Sequence, residues 1–107
     1  MSFYIRQNDT SPTITATLTD YNNIPINLTA SDVVLHMEDL SGTLKLDSAV
    51  CTIDDAVEGI VSYSWQAGDT DTIGTYRVLF EVTYFDGGIE TFPNKGYLSV
   101  IVTPELA

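Results

Sequence analysis

Between Gly74 and Phe85 every second side chain is aromatic or β-branched: Tyr76, Val78, Phe80, Val82 and Tyr84. Successive strand residues point to opposite faces, so such a run has one apolar face as a strand, whereas a helix repeats its faces every ~3.6 residues and would scatter these residues. The same period of two recurs along the chain. Thr13 to Asp20 sets Ile14, Ala16 and Leu18 against threonines, and Ile24, Ile26 and Leu28 continue the alternation through Pro25. Proline cannot donate to a sheet ladder, which predicts an edge strand there. Val33, Leu35 and Met37 oppose Val34, His36 and Glu38; Leu44 and Leu46, then Ala49, Cys51 and Ile53, predict two short strands or one broken at Asp47-Ser48. Gly59 opens a run with Val61, Tyr63 and Trp65 inward, and Leu98, Val100 and Val102 form the last strand. Asp86-Gly87-Gly88 supplies the positive φ of a tight hairpin, after which Ile89 to Phe92 returns antiparallel until Pro93. No segment repeats apolar residues with helical spacing.

Short strands separated by turn residues, in a chain of 107 residues, predict one all-β domain over residues 1–107, an antiparallel immunoglobulin-like β-sandwich. A closed barrel is the alternative. The sandwich is favoured because Gly74-Thr75-Tyr76 opens the longest strand as a tyrosine corner does, and Trp65 suits the large core aromatic. The single Cys51 makes no internal disulfide, so the apolar core alone has to hold the fold.

Charge narrows the function. Four Lys and Arg stand against 15 Asp and Glu, a net charge of -11, which repels phosphate backbones and anionic lipid headgroups. Nucleic acid and membrane are therefore not expected as partners. The N-terminal Met1 to Arg6 lacks a basic segment followed by an apolar stretch, so no export signal is expected, and Asn8-Asp9-Thr10 and Asn27-Leu28-Thr29 read as plain polar turns.

Catalytic chemistry would have to use His36, the one histidine, with Cys51 or a serine; beside Val34 and Glu38 on its strand face it reads as a solvated strand residue. Asp54-Asp55, Asp69 with Asp71, and Asp86 are paired or turn carboxylates. They lack the terminal Glu and glycine of a calcium loop and read as turn caps, so no metal, no cofactor and no catalytic residue is assigned and the chain is not expected to be an enzyme.

Several motifs occur in one order: Phe3-Tyr4-Ile5-Arg6-Gln7-Asn8-Asp9-Thr10-Ser11-Pro12, Gly59-Ile60-Val61-Ser62-Tyr63-Ser64-Trp65, Gly74 to Val82, Asp86-Gly87-Gly88, and Thr91-Phe92-Pro93-Asn94. Across nearly the whole chain this order resembles the N-terminal immunoglobulin-like domain of phage baseplate upper proteins. The resemblance implies a β-sandwich that fixes a fibre or receptor-binding module to a tail baseplate by protein contacts. It further implies partners among other tail and baseplate proteins or further copies of this chain, and a place in the virion after assembly in the host cytoplasm. The sequence ends at Ala107, without the family's extension, which leaves a stand-alone adaptor, a tail or capsid decoration, or a fragment as alternatives. The reading from another class is an adhesion or carbohydrate-binding sandwich, and a small hydrolase using His36 is the third.

By the period of two, Leu79, Phe85 and Ile101 point outward from a polar, acidic surface. They are the predicted protein interface, provided the last strand pairs with Gly74 to Phe85.

Overall fold

The computed structural model describes residues 2–106, and every described element is a β-strand. In chain order these are β1 (Ser2–Arg6), β2 (Ile14–Thr17), β3 (Asp32–Asp39), β4 (Leu44–Val50), β5 (Thr52–Asp55), β6 (Ile60–Tyr63), β7 (Gly74–Thr83), β8 (Ile89–Phe92) and β9 (Leu98–Thr103). The larger sheet runs β1-β9-β7-β3-β4, with β8 also paired to β7; the smaller runs β2-β6-β5. The fold is an all-β sandwich, as the alternation predicts.

β7 is the central strand because both of its edges are paired and its inward face is wholly buried. Tyr76, Val78, Phe80 and Val82 are buried. Across the gap they meet Ile14, Leu18, Leu28, Val61, Tyr63 and Trp65 in one core. Trp65 lies just beyond β6 but is buried, edge-on to Tyr63 at 5.5 Å. The Tyr76 hydroxyl donates to the Thr72 carbonyl at 2.7 Å, the bond expected of a tyrosine corner. At the other end of β7, Gly87 takes φ 89° and the Gly88 N–H donates to Asp86 Oδ1, closing the expected hairpin.

The structure differs from the sequence reading at three places. β1 pairs with β9 in parallel, Ser2 opposite Ser99 through Arg6 opposite Thr103, so the sandwich is not purely antiparallel. Phe3-Tyr4-Ile5 is a continuous apolar run, with Ile5 buried and Tyr4 exposed, and carries no alternation to announce a strand. Second, Ile24 to Leu28 is not an edge strand. Asp20 Oδ1 accepts the N–H groups of Asn22 and Ile24, which tightens the turn, and pairing stops at one bridge between Thr19 and Pro25. Third, Leu44 to Ile53 is two strands, as one of the two readings has it, but the break falls at Cys51 and not at Asp47-Ser48, and the strands belong to different sheets: the chain leaves β4 at Val50, crosses at Cys51 and enters β5 at Thr52.

That crossing closes one side of the sandwich covalently. The opposite side is closed only in part, because β1 covers β9 while among the described residues no strand pairs beyond β8.

Burial raises the tyrosine pKa values: Tyr84 is pushed up to about 12 by desolvation and then by its hydrogen bond to Glu90, and Tyr63 and Tyr76 also rise, chiefly through burial. A group with a raised folded value contributes its full stability below its unfolded value and loses it as pH rises through the folded one. Stability is therefore expected to fall from about pH 10 upward, where an unfolded tyrosine ionises. Titration followed by tyrosinate absorbance should show only some of the six tyrosines ionising reversibly, the rest ionising together with loss of structure. Smooth ionisation of all six with the fold intact would contradict the burial of Tyr63 and Tyr76.

Candidate functional site: a lateral cleft beside a free strand edge

β8 and β9 both run antiparallel to β7 along the same edge, β8 against Phe80–Thr83 and β9 against Gly74–Val78. Between them the chain leaves the ladder over Pro93-Asn94-Lys95-Gly96-Tyr97. Proline lacks the N–H the ladder needs, and Gly96 adopts φ 76°, a conformation glycine takes without strain. This excursion, together with the absence of a β1 neighbour beside β8, leaves the two sheets unsealed on one side.

The resulting cleft has a volume of about 610 Å³. One wall is the β2 edge and its continuation, Thr15 to Tyr21; the other is Phe92 to Lys95 with Tyr97 and Leu98, and Phe80 lies at its floor. The volume falls within the ~300–1,000 Å³ common for ligand clefts, and the floor is apolar while threonines and an asparagine stand at the rim.

The strand register fixes which backbone groups face it. Ile14 pairs with Tyr63 and Ala16 with Val61, and one step on the Leu18 N–H donates to the Gly59 carbonyl at 2.8 Å. Hydrogen-bonded and non-bonded pairs alternate along an antiparallel ladder, so Ile14 and Ala16 turn their backbone groups to β6, while on the same side Leu18 bonds Gly59 through its N–H and the Ile26 N–H through its carbonyl. Thr15 and Thr17 then turn theirs away from it, to the free edge. Both threonines are exposed, whereas Ile14 and Leu18 are buried. Across the cleft the β8 edge is partly occupied: the Asn94 amide donates to the Thr91 carbonyl and to Glu90 Oε2, and the Tyr84 hydroxyl donates to Glu90 Oε1. The β2 edge is the more open of the two.

Sequence reasoning missed this cleft. The available signal was the interruption Pro93 to Gly96 opposite an unbroken β7. A break in one strand facing continuity in its neighbour has to loop out and uncover what lies beneath.

The predicted interface residues are not brought together. Leu79 and Ile101 are half-buried on the outer face of the large sheet, but Ile101 is opposite Thr75, with the Arg77–Ser99 pair between them. Phe85 lies outside β7, in the hairpin, and is highly exposed. Leu79 lines a second, smaller hollow of about 330 Å³ with His36, Glu38, Arg77 and Tyr97.

The polar residues weighed for chemistry have local roles. His36 Nδ1 accepts the Ser48 N–H and lies 3.4 Å from Asp47, with Nε2 3.6 Å from Glu81. Cys51 is half-buried and desolvation pushes its thiol up to about 12, so little nucleophilic thiolate forms at neutral pH. Asp69 accepts from the Tyr63 hydroxyl and the Gln66 N–H, while Asp71 pairs with Lys45, which holds its carboxyl below the usual value. Asp86 caps its own hairpin, and Asp55 accepts the Glu58 N–H. Imidazole and thiolate are the donors most often drawn on by transition-metal sites. The chain has one His and one Cys, and among the described residues no group of three or more His, Cys, Asp or Glu is placed to hold a metal.

No family model matches the chain, and no curated protein does. Among solved structures, CopC from Methylosinus trichosporium OB3b is similar, with a TM-score of 0.56 and 14% identity over 99% of this chain and 87% of that one. At that identity the likeness is one of fold. It corrects the function expected from the sequence: the similarity that spans the chain leads to CopC and not to a phage tail, baseplate or capsid protein, so the role as a virion structural component is withdrawn.

Proposed function

We propose that the chain is a protein-binding module that takes an extended segment of another polypeptide into the lateral cleft, adding a strand to the free edge of β2. The observation that carries this reading is the coincidence of unpaired Thr15 and Thr17 backbone groups with an apolar cleft along the same edge. An added strand gains main-chain hydrogen bonds from the edge, and every second side chain turns into the cleft, which is how strand addition combines affinity with specificity. The cleft is long and open along a strand, a shape that suits a chain segment better than a compact small molecule. A reaction has no support from the same wall, where no histidine, cysteine or paired carboxylate lies.

Selection from a random peptide display library tests the reading. Enriched peptides are expected to alternate apolar and polar residues, and to lose binding to Thr17→Pro and to Thr15→Pro. Each substitution deletes an outward N–H while leaving the β6 ladder intact, because proline is tolerated where the N–H faces away from the partner strand. Circular dichroism and thermal melts of both variants should match the parent. Peptides that bind these variants as well as the parent would place recognition elsewhere.

A further inference from the structure

We infer that the segment taken by the cleft is cationic: a strand of another protein with apolar side chains at alternate positions and lysine or arginine at the intervening ones. This rests on the reading of the cleft as a strand-addition site. The alternation follows from geometry. A strand laid beside β2 repeats the facing of its neighbour, so half of its side chains join Ile14, Ala16 and Leu18 in turning inward over Phe80 and Leu98. The other half emerge beside Thr15 and Thr17 on the outer face, where the aqueous surface requires polar groups.

Charge decides which polar groups. The chain carries 15 acidic against four basic residues, and three of the basic ones are already engaged. Lys45 pairs with Asp71, Arg77 with Glu38 and the Leu40 carbonyl, and Arg6 donates to the Pro104 carbonyl. Among the described residues most carboxylates therefore have no counter-charge, and the potential around the molecule is negative. At the cleft itself Asp20 stands on the β2 wall, with Oδ1 bonded to two backbone N–H groups, and the exposed ring of Tyr21 lies next to it. A carboxylate beside an aromatic face suits an ammonium or guanidinium group. Lys95, on the opposite wall, makes no ion pair among the described residues and is the one local charge of the opposite sign. The same net charge opposes the other natural occupant, a second copy of this chain, since two bodies of -11 repel.

The test uses two synthetic peptides with valine at the same alternate positions and either lysine or glutamate at all others, titrated calorimetrically at low and at physiological salt. The lysine peptide is expected to bind at least about tenfold tighter than the glutamate peptide at low salt, the gap narrowing as salt screens the field. Asp20→Asn keeps an acceptor oxygen for the turn but removes the charge, and should weaken the lysine peptide; Lys95→Glu should strengthen it. Equal binding of the two peptides, or tighter binding of the glutamate peptide, with both abolished by Thr17→Pro and Thr15→Pro, would overturn the cationic preference and leave the cleft reading standing. Lysine-peptide binding unaffected by either proline variant would be charge attraction away from the cleft and would overturn the inference. Binding of neither peptide would remove the cleft reading and the inference together. A dimer in light scattering that is disrupted by Thr17→Pro would make a second copy the occupant and would also overturn it.

Discussion

Replacing Phe80 with alanine should destabilise the fold by about 3–5 kcal/mol, the largest single effect expected in this chain. Phe80 is 1% exposed, at the middle of β7, opposite Leu35 on one side and Phe92 on the other. All three side chains point into the sandwich, so truncation loses the transfer energy of the ring and leaves a void that paired neighbours on both flanks cannot collapse to fill. Against a total stability of about 5–15 kcal/mol for a domain of this kind, the loss is a large fraction. Urea unfolding should show the transition midpoint moving sharply to lower denaturant with an unchanged slope. A shift within about 0.5 kcal/mol, the size typical of surface sites, would mean the inward face of β7 is wrongly assigned. The same void would lie beneath the lateral cleft, so this variant tests stability and is unsuitable for testing binding.

Gly59→Ala should be the second costly change, for reasons of backbone and not of apolar burial. Gly59 adopts φ +68°, and a Cβ there would stand 2.6 Å from the Leu18 carbonyl oxygen and 2.9 Å from that of Ile26. The left-handed conformation alone costs an ordinary residue about 1–2 kcal/mol. The collision adds to it, because both obstructing atoms belong to the backbone and cannot rotate away. Relief would require the segment that follows β2 to move off β6, breaking the bond from the Leu18 N–H to the Gly59 carbonyl. Denaturant unfolding should therefore show a loss well above that of Gly42→Ala, where φ is also positive, at +91°, but nothing lies within 4 Å of the added carbon. Equal losses at the two sites would show that conformation, and not close approach, sets the cost.

The contrast between these residues explains what the sequence could disclose. Phe80 sits in a local pattern, and a pattern with a period of two names its own inward face; β7, the hairpin at Asp86 and the bond made by Tyr76 follow from residues a few positions apart. β1 was invisible because Phe3-Tyr4-Ile5 does not alternate and because its partner, β9, lies almost a full chain length away. The segment after Asp20 alternates like a strand, yet the Asp20 carboxylate and Pro25 together commit its backbone to a turn. The cleft was hidden for a third reason. It exists because β8 and β9 share one edge of β7 while β1 covers only β9, a relation among four strands that no window of sequence contains. Leu79, Phe85 and Ile101 lie off the core, but facing says nothing about adjacency, and Arg77 with Ser99 separates the first from the last.

Hydrogen exchange at the individual amides of β2 distinguishes a strand added to that edge from binding elsewhere. In the free protein Ala16 and Leu18 should be protected by their bonds to β6 and to the Gly59 carbonyl, while Thr15 and Thr17, facing the open edge, should exchange fast. On adding a cleft-selected peptide, Thr15 and Thr17 should become protected while the amides of β4 on the far edge do not change. Continued fast exchange at both threonines in the saturated complex would contradict the addition of a strand at β2.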